Sequence, residues 1–318
     1  MELLKAIALL LVGFVLLIKG ADYFVEGSSA VAKKLKVPSL IIGLTIVAMG
    51  TSLPELSVSI TASMANSNAL AVSNIIGSNI FNLMVVLGAS ALMSTIEVND
   101  SVIKKDFPFT IACAALLLGL GYRGMALERA DGLIFLAIFV GYIGYQVLSA
   151  LKARKAALSA ASDEDDEIKD ISFGLAVVYI VGGAVAVRFG GDWVVESAKT
   201  IAAFCGMSEN LIGLTIVALG TSLPELVTSV MAARKNELDM AVGNVVGSNV
   251  FNILMILGVA SSLSPITFIM ENVVDIAVLI GFSLLVWTFC AVKKKLGRAQ
   301  GAAMLAAYAA YTVYICLR

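Results

Sequence analysis

The sequence predicts an all-α integral membrane protein: ten transmembrane helices in two inverted five-helix repeats, with broken helices at the midplane. Three observations predict it. Of 318 residues, 59% are hydrophobic and only 14% charged, with a mean hydropathy of +0.96, whereas soluble domains carry about 25% charged residues. The apolar runs reach the bilayer-crossing length of about 20 residues. One segment also occurs twice: GLTIVAMGTSLPEL at 43–56 returns as GLTIVALGTSLPEL at 213–226.

The repeat fixes the organisation. A shift of 170 aligns 42–56 with 212–226 at 14 of 15 positions, and AVSNIIGSNIFN (71–82) with AVGNVVGSNVFN (241–252) at 8 of 12. The same register brings Asp22 and Glu26 onto Asp192 and Glu196. One register through all three blocks means that a whole unit is duplicated. The first half gives spans near 3–31, 39–66, 71–93, 107–122 and 132–151. The second gives spans near 172–204, 210–234, 240–262, 273–292 and 299–316. The first span follows MELLK with little positive charge before it and has a counterpart in the second half, so it reads as a span and not as a signal peptide. The units are 1–151, a linker at 152–170 and 171–318. The linker's acidic run, DEDDEIKD, reads as a solvated loop and not as a regulatory cation site.

Five spans per half is an odd number, so the second half enters the membrane from the opposite face, as in transporters built from inverted repeats. Basic residues set the orientation. Lys33, Lys34, Lys36, Lys104, Lys105, Lys152, Arg154, Lys155, Lys169, Arg234, Lys235, Lys293, Lys294, Lys295 and Arg298 gather on one side. Lys5, Arg123, Arg129, Lys199 and Arg318 fall on the other, and Lys19 and Arg188 lie within spans. Both termini are therefore expected outside the cell (plasma or inner) membrane, with the linker in the cytoplasm and a single chain as the working unit.

Several classes drop out. A net charge of −1 gives no electrostatic case for nucleic acid. The absence of histidine removes the commonest ligand for zinc or copper and the usual proton shuttle. Cys113, Cys205, Cys290 and Cys316 are scattered singly in apolar segments and read as small hydrophobes. A membrane hydrolase or protease would have to pair a serine with a carboxylate or lysine, and no enzyme or prosthetic group is expected.

The repeated motif carries the chemistry. Proline has no N–H and displaces the carbonyl four residues earlier, so Pro54 frees the carbonyl of Gly50, and Pro224 that of Gly220. Freed carbonyls at membrane depth are tolerated only inside protein or along a watery cavity. Beside them stand the hydroxyls of Thr51, Ser52, Thr221 and Ser222, and the carboxylates of Glu55 and Glu225. This all-oxygen set suits a hard cation such as calcium or sodium. Inversion brings the motifs together, and a divalent cation balances two carboxylates that would otherwise repel. A buried acid costs about 2.5–3.5 kcal/mol at the membrane centre, so two of them on repeated broken helices point to function over helix packing. Asn74, Ser78 and Asn82, spaced i, i+4, i+8, share one helix face, and Asn244, Ser248 and Asn252 repeat it. Taken alone they read as packing devices; beside the glutamates they complete an oxygen cage. Asp22, Glu26, Asp192 and Glu196 read as exposed helix ends more readily than as an ion access path.

GTSLPEL in both halves, each followed by GSNxFN, closely resembles the alpha repeats of the sodium/calcium exchangers in the calcium/cation antiporter superfamily. The resemblance covers essentially the whole chain. It implies Ca2+ held by Glu55 and Glu225, and Na+ sites from Thr51, Ser52, Ser78, Thr221, Ser222 and Ser248 with the carbonyls of Ala48 and Ala218. Asn82 and Asn252 fall where the family has Asn or Asp. Both being Asn here leaves one titratable ligand fewer than in many members and argues against potassium co-transport. The resemblance also implies alternating access, in which the first and sixth spans slide past a fixed core. The expected function is exchange of Na+ for Ca2+ in the direction of Ca2+ efflux. The alternative is Ca2+/H+ exchange, but the proton-coupled branch resembles a motif with Asn in place of the hydroxyl pair, and here both Thr-Ser pairs are intact.

Overall fold

The first helix, α1 (Glu2–Leu35), ends where Lys36 takes a left-handed conformation (φ 54°) ahead of Pro38. The amide of Val37 closes the end on the carbonyl of Ala32 at 2.9 Å. This is the αL stop of a helix followed by a proline that cannot continue it. The same stop recurs one repeat later: Gly206 has φ 85°, and Met207 N reaches Ala202 O at 3.0 Å, ending α8. The computed structural model describes residues 2–64, 68–160, 171–207 and 218–317.

After α1 comes α2 (Ser39–Thr51), which widens into a π-turn at Gly43–Val47. It breaks at Ser52, bending by 45° into α3 (Leu53–Met64). A long rod follows: α4 (Asn68–Phe81), a π-turn at Asn82–Val86, and α5 (Leu87–Met93). The strand β1 (Ile96–Glu97) leads into a π-turn at Val102–Asp106 and α6 (Phe107–Gly124), then β2 (Ala126–Leu127) and α7 (Arg129–Ala160). The second half runs α8 (Phe173–Phe204), the short α9 (Ala218–Gly220), α10 (Leu223–Arg234) and α11 (Leu238–Phe251). It continues through a π-turn at Asn252–Ile256, α12 (Leu257–Leu263), β3 (Ile266–Thr267), α13 (Met270–Lys293), β4 (Lys295–Leu296) and α14 (Arg298–Leu317).

Among the described residues, seven helices are long and apolar enough to cross a membrane, or eight if the bent pair α2–α3 is one span. The expected ten is not reached in that count. The first part of the span expected at 210–234 lies outside the described residues, and α6, expected as a span near 107–122, is not among the seven. The expected linker, 152–170, begins as helix: α7 continues to Ala160 because LKARKAALSA holds strong helix formers and no breaker. Its acidic run lies outside the described residues. Four two-residue strands were not expected of an all-α chain.

The core lies between the two rods. The best apolar window of Val72–Met93 is 78% buried and that of Leu238–Leu263 is 89% buried, against 22% for α1, α7 and α8. Ile75, Ile76, Ile80, Met84 and Leu87 pack there with Val245, Val246, Val250, Leu254 and Leu257. The peripheral α1 and α8 instead meet backbone to backbone. A Cβ on Gly183 would sit 2.7 Å from the Gly20 carbonyl oxygen, and one on Gly190 would sit 2.6 Å from the Leu17 nitrogen. Small residues replace side-chain interdigitation as the packing device, as is usual between membrane helices.

Two ribbons tie the halves together. β1 pairs antiparallel with β4 (Ile96 opposite Leu296), and β2 with β3 (Leu127 opposite Ile266). Each ribbon takes one strand from each half. Because α6, about 27 Å long at 1.5 Å per residue, separates β1 from β2, the ribbons lie at its opposite ends.

Candidate functional site

The helix break presents the site. Ser52 (φ −85°, ψ 12°) and Ser222 (φ −94°, ψ 6°) sit outside helical geometry, each followed by a proline in the first turn of the next helix. Ala48 N–H and C=O groups lie just before the first break, and the Glu55 and Glu225 side chains emerge just after the two breaks. Both glutamates are fully buried (0% exposed).

The two motifs meet in a crossed arrangement. Ser52 Oγ donates to Glu225 Oε1 at 2.8 Å, and Ser222 Oγ donates to Glu55 Oε1 at 3.2 Å. Each serine therefore serves the carboxylate of the other half. Ser78 Oγ adds a bond to Glu55 Oε1 at 3.4 Å. The second oxygens, Glu55 Oε2 and Glu225 Oε2, have no hydrogen-bond partner among the described residues. Buried carboxylate oxygens are ordinarily satisfied, and these two depart from that rule.

The neighbours are oxygen donors. The carbonyl of Ala48 accepts from Ser248 Oγ at 3.5 Å and lies 3.3 Å from Thr51 Oγ1. Thr51 Oγ1 also lies 3.1 Å from Asn244 Oδ1; with one proton it serves one of these acceptors at a time. Thr221 Oγ1, both side-chain polar atoms of Asn82, and Asn252 Oδ1 have no partner among the described residues. Ala218 opens α9, and the stretch 208–217 that leads into it lies outside the described residues. Among the described residues no three His, Cys, Asp or Glu side chains cluster. The cage is thus two carboxylates among neutral oxygens.

The repeat is not symmetric in detail. Asn244 Nδ2 donates to Ser229 Oγ at 2.9 Å, whereas Asn74 Nδ2 is unpartnered among the described residues. The sequence reading missed the pair that holds the rods in register. Asn79 Nδ2 donates to the Asn249 carbonyl and Asn249 Nδ2 to the Asn79 carbonyl, each at 3.2 Å. Asn79 Oδ1 also accepts from Asn252 Nδ2 at 2.9 Å. The signal was present, since both lie in GSNxFN at a separation of 170, but a buried amide pair looks like any helix-packing Asn until its partner is known. Asn79→Ala removes one donor and one acceptor and strands Asn252 Nδ2. It should lower stability by about 1–3 kcal/mol, read as a lower melting temperature of the purified protein. An unchanged melting temperature would show the pair to be dispensable.

A cavity of about 370 Å³ leads to the breaks, lined by Pro54, Arg188, Asp192, Glu196, Thr221 and Pro224 among others. Asp192 and Glu196 are exposed, as the sequence suggested, but they line a vestibule, and Asp192 pairs with Arg188. Their repeat mates behave differently: Asp22 and Glu26 both pair with Lys235 Nζ, at 2.7 and 3.2 Å. Near them α1 covers the first break, where a Cβ on Gly50 would lie 2.7 Å from the Phe24 ring.

Comparison with known proteins bears on the family and the fold. The profile of the family described as "Sodium/calcium exchanger protein" matches residues 5–148 and again 175–317. The Alkalimonas amylolytica protein CaxA is 42% identical over 266 residues, covering 83% of this chain and 82% of its own. The inner membrane protein YrbG of Escherichia coli is 35% identical, covering 90% of each. A solved structure of the sodium-calcium exchanger NCX_Mj, soaked with Na+ and Sr2+, superposes with a TM-score of 0.83 at 34% identity, covering 96% of this chain and 97% of that one. Two matches to one family profile, together with whole-chain likeness in sequence and fold, place this multi-pass membrane protein among the transporters and outside the enzymes: it belongs to the sodium/calcium exchanger family of cation antiporters.

Proposed function

We propose that the protein is a secondary active antiporter that exchanges Na+ for Ca2+ across the cell membrane by alternating access, working in the direction of Ca2+ efflux. The observation that carries this reading is the crossed pair Ser52–Glu225 and Ser222–Glu55, which leaves one oxygen on each buried carboxylate without a partner among the described residues. Those two oxygens hold Ca2+. Thr51, Ser52, Ser78, Thr221, Ser222, Ser248 and the carbonyls of Ala48 and Ala218 supply the Na+ sites, with Asn82 and Asn252 as neutral neighbours. Ser52, Ser78 and Ser222 bond these same carboxylates, so Na+ held among them competes with Ca2+. Exchange follows if the unloaded carboxylates resist crossing, because each ion leaves only when the other replaces it.

The same proposal includes ten spans in two inverted five-helix units, 1–151 and 171–318, joined by a cytoplasmic segment at 152–170, with both termini outside. The two profile matches at 5–148 and 175–317 support the division. α1 and α8 are the sliding elements: they face outward along most of their length and touch each other through backbone. A single chain holds both halves of the site and works as a monomer.

Calcium-45 uptake into proteoliposomes loaded with sodium tests this, with potassium-loaded and proton-gradient controls. Uptake should require outward sodium. Uptake driven by protons alone would assign the chain to Ca2+/H+ exchange.

A further inference from the structure

The two halves differ where a basic side chain enters the vestibule. Arg188 shifted by 170 falls on Ile18, whereas the acid one turn further, Asp192, falls on another acid, Asp22. Both acids have a basic partner, but the partners have different origins. Asp22 takes Lys235 from the connection between α10 and α11, and Asp192 takes Arg188 from its own helix. Lys235 is absent from the vestibule lining, and Arg188 is part of it, beside Pro54, Thr221 and Pro224.

Arg188 sits near the middle of α8, with 29% of its side chain exposed. A charge at that depth is costly and is kept beside a partner or a watery cavity; Arg188 has both. The guanidinium is always protonated and long enough to turn between neighbouring acceptors.

We infer that Arg188 is a tethered cation of the transport path, opposing metal cations at Glu55 and Glu225, while Asp192 sets the strength of that opposition by holding the guanidinium aside. The inference rests on reading the glutamate pair as a cation site. The physics is linkage: a fixed positive charge favours the empty carboxylates over the loaded ones and so weakens cation binding. Coulomb energy scales with the charge of the bound ion, so Ca2+ is opposed twice as strongly as a single Na+. Arg188 therefore tunes selectivity as well as affinity, and a merely structural arginine would not produce that pattern.

The test is equilibrium binding of calcium-45 to the purified full-length protein in detergent, with and without sodium as competitor. Arg188→Gln should bind Ca2+ about fivefold tighter or more, with a smaller gain for Na+, and Arg188→Lys should stay near wild type. Asp192→Asn should weaken Ca2+ binding, and more so with Arg188 present than in the Arg188→Gln background. If Arg188→Gln fails to fold, the Asp192→Asn and Arg188→Lys proteins carry the test: weaker binding in the first with near wild-type binding in the second supports the tether. Unchanged or weaker Ca2+ binding in folded Arg188→Gln overturns it, as does an equal effect of Asp192→Asn on both backgrounds. The two readings fail separately. Tighter binding without sodium-driven uptake in vesicles sinks exchange and keeps the tether, and normal uptake with no shift in binding does the reverse.

Discussion

Replacing Glu55 or Glu225 by Ala should reduce sodium-driven calcium uptake to that of protein-free vesicles. Each carboxylate offers the site one oxygen with no partner among the described residues, and each accepts a serine from the other half. Removing either leaves a divalent ion with one balancing charge in a fully buried place, where an unpaired charge is strongly disfavoured. The crossed bonds make the loss mutual: Glu225→Ala also strands Ser52, and Glu55→Ala strands Ser222 and Ser78. Glu→Gln at either position keeps shape and one acceptor, so the protein should remain folded while Ca2+ binding is lost. Calcium-45 uptake together with the melting temperature separates the two effects. Full transport in both alanine variants would remove the glutamates from the ion site.

The second large effect is steric. α2, which carries Ala48 and Thr51, lies directly on α11 because both helices have glycine at the crossing. A Cβ on Gly243 would stand 2.6 Å from the Leu40 carbonyl oxygen, 2.9 Å from Leu44 N and 3.0 Å from Gly43 Cα. All three are backbone atoms, so no side chain can turn aside and α2 itself must move. Gly243→Val should therefore destabilise the protein by about 3 kcal/mol or more, at or above the usual range for overpacking. Because the displaced helix bears the Ala48 carbonyl and the Thr51 hydroxyl, both assigned to Na+, Na+ affinity should fall in whatever protein still folds. Gly281→Ala, whose Cβ would have no neighbour within 4 Å, is the control and should leave both quantities unchanged. A Gly243→Val protein with wild-type melting temperature and affinity would show that the crossing can loosen freely.

Much of this site was legible because the sequence states it twice. A proline beside a glutamate in apolar surroundings is unusual once; repeated in register it locates both helix breaks, and these occur at Ser52 and Ser222 as the prolines require. Helix ends were less legible. Lys36 ends α1 in a left-handed conformation that its side chain does not announce, although its repeat mate, Gly206, does. The ribbons were invisible because two-residue strands such as Ile96–Glu97 are too short to show an alternating pattern. The extension of α7 through Lys152–Ala160 was hidden by polarity, since helix propensity there does not depend on burial. The unlike fates of Asp22 and Asp192 could not be read from their alignment: one partner is four residues away, the other more than two hundred.

The exchanged ribbons bear on ancestry and on dissection of the chain. β1 and β3 are repeat mates, as are β2 and β4, yet each ribbon joins one strand of the first kind to one of the second from the opposite half. Neither half closes a ribbon by itself, and neither holds both Glu55 and Glu225. A lone half would therefore complete its strands and its carboxylate pair only by meeting a second copy, which makes a homodimer of the unduplicated half the natural precursor. By the same logic the two halves made as separate polypeptides have matching ends to find each other.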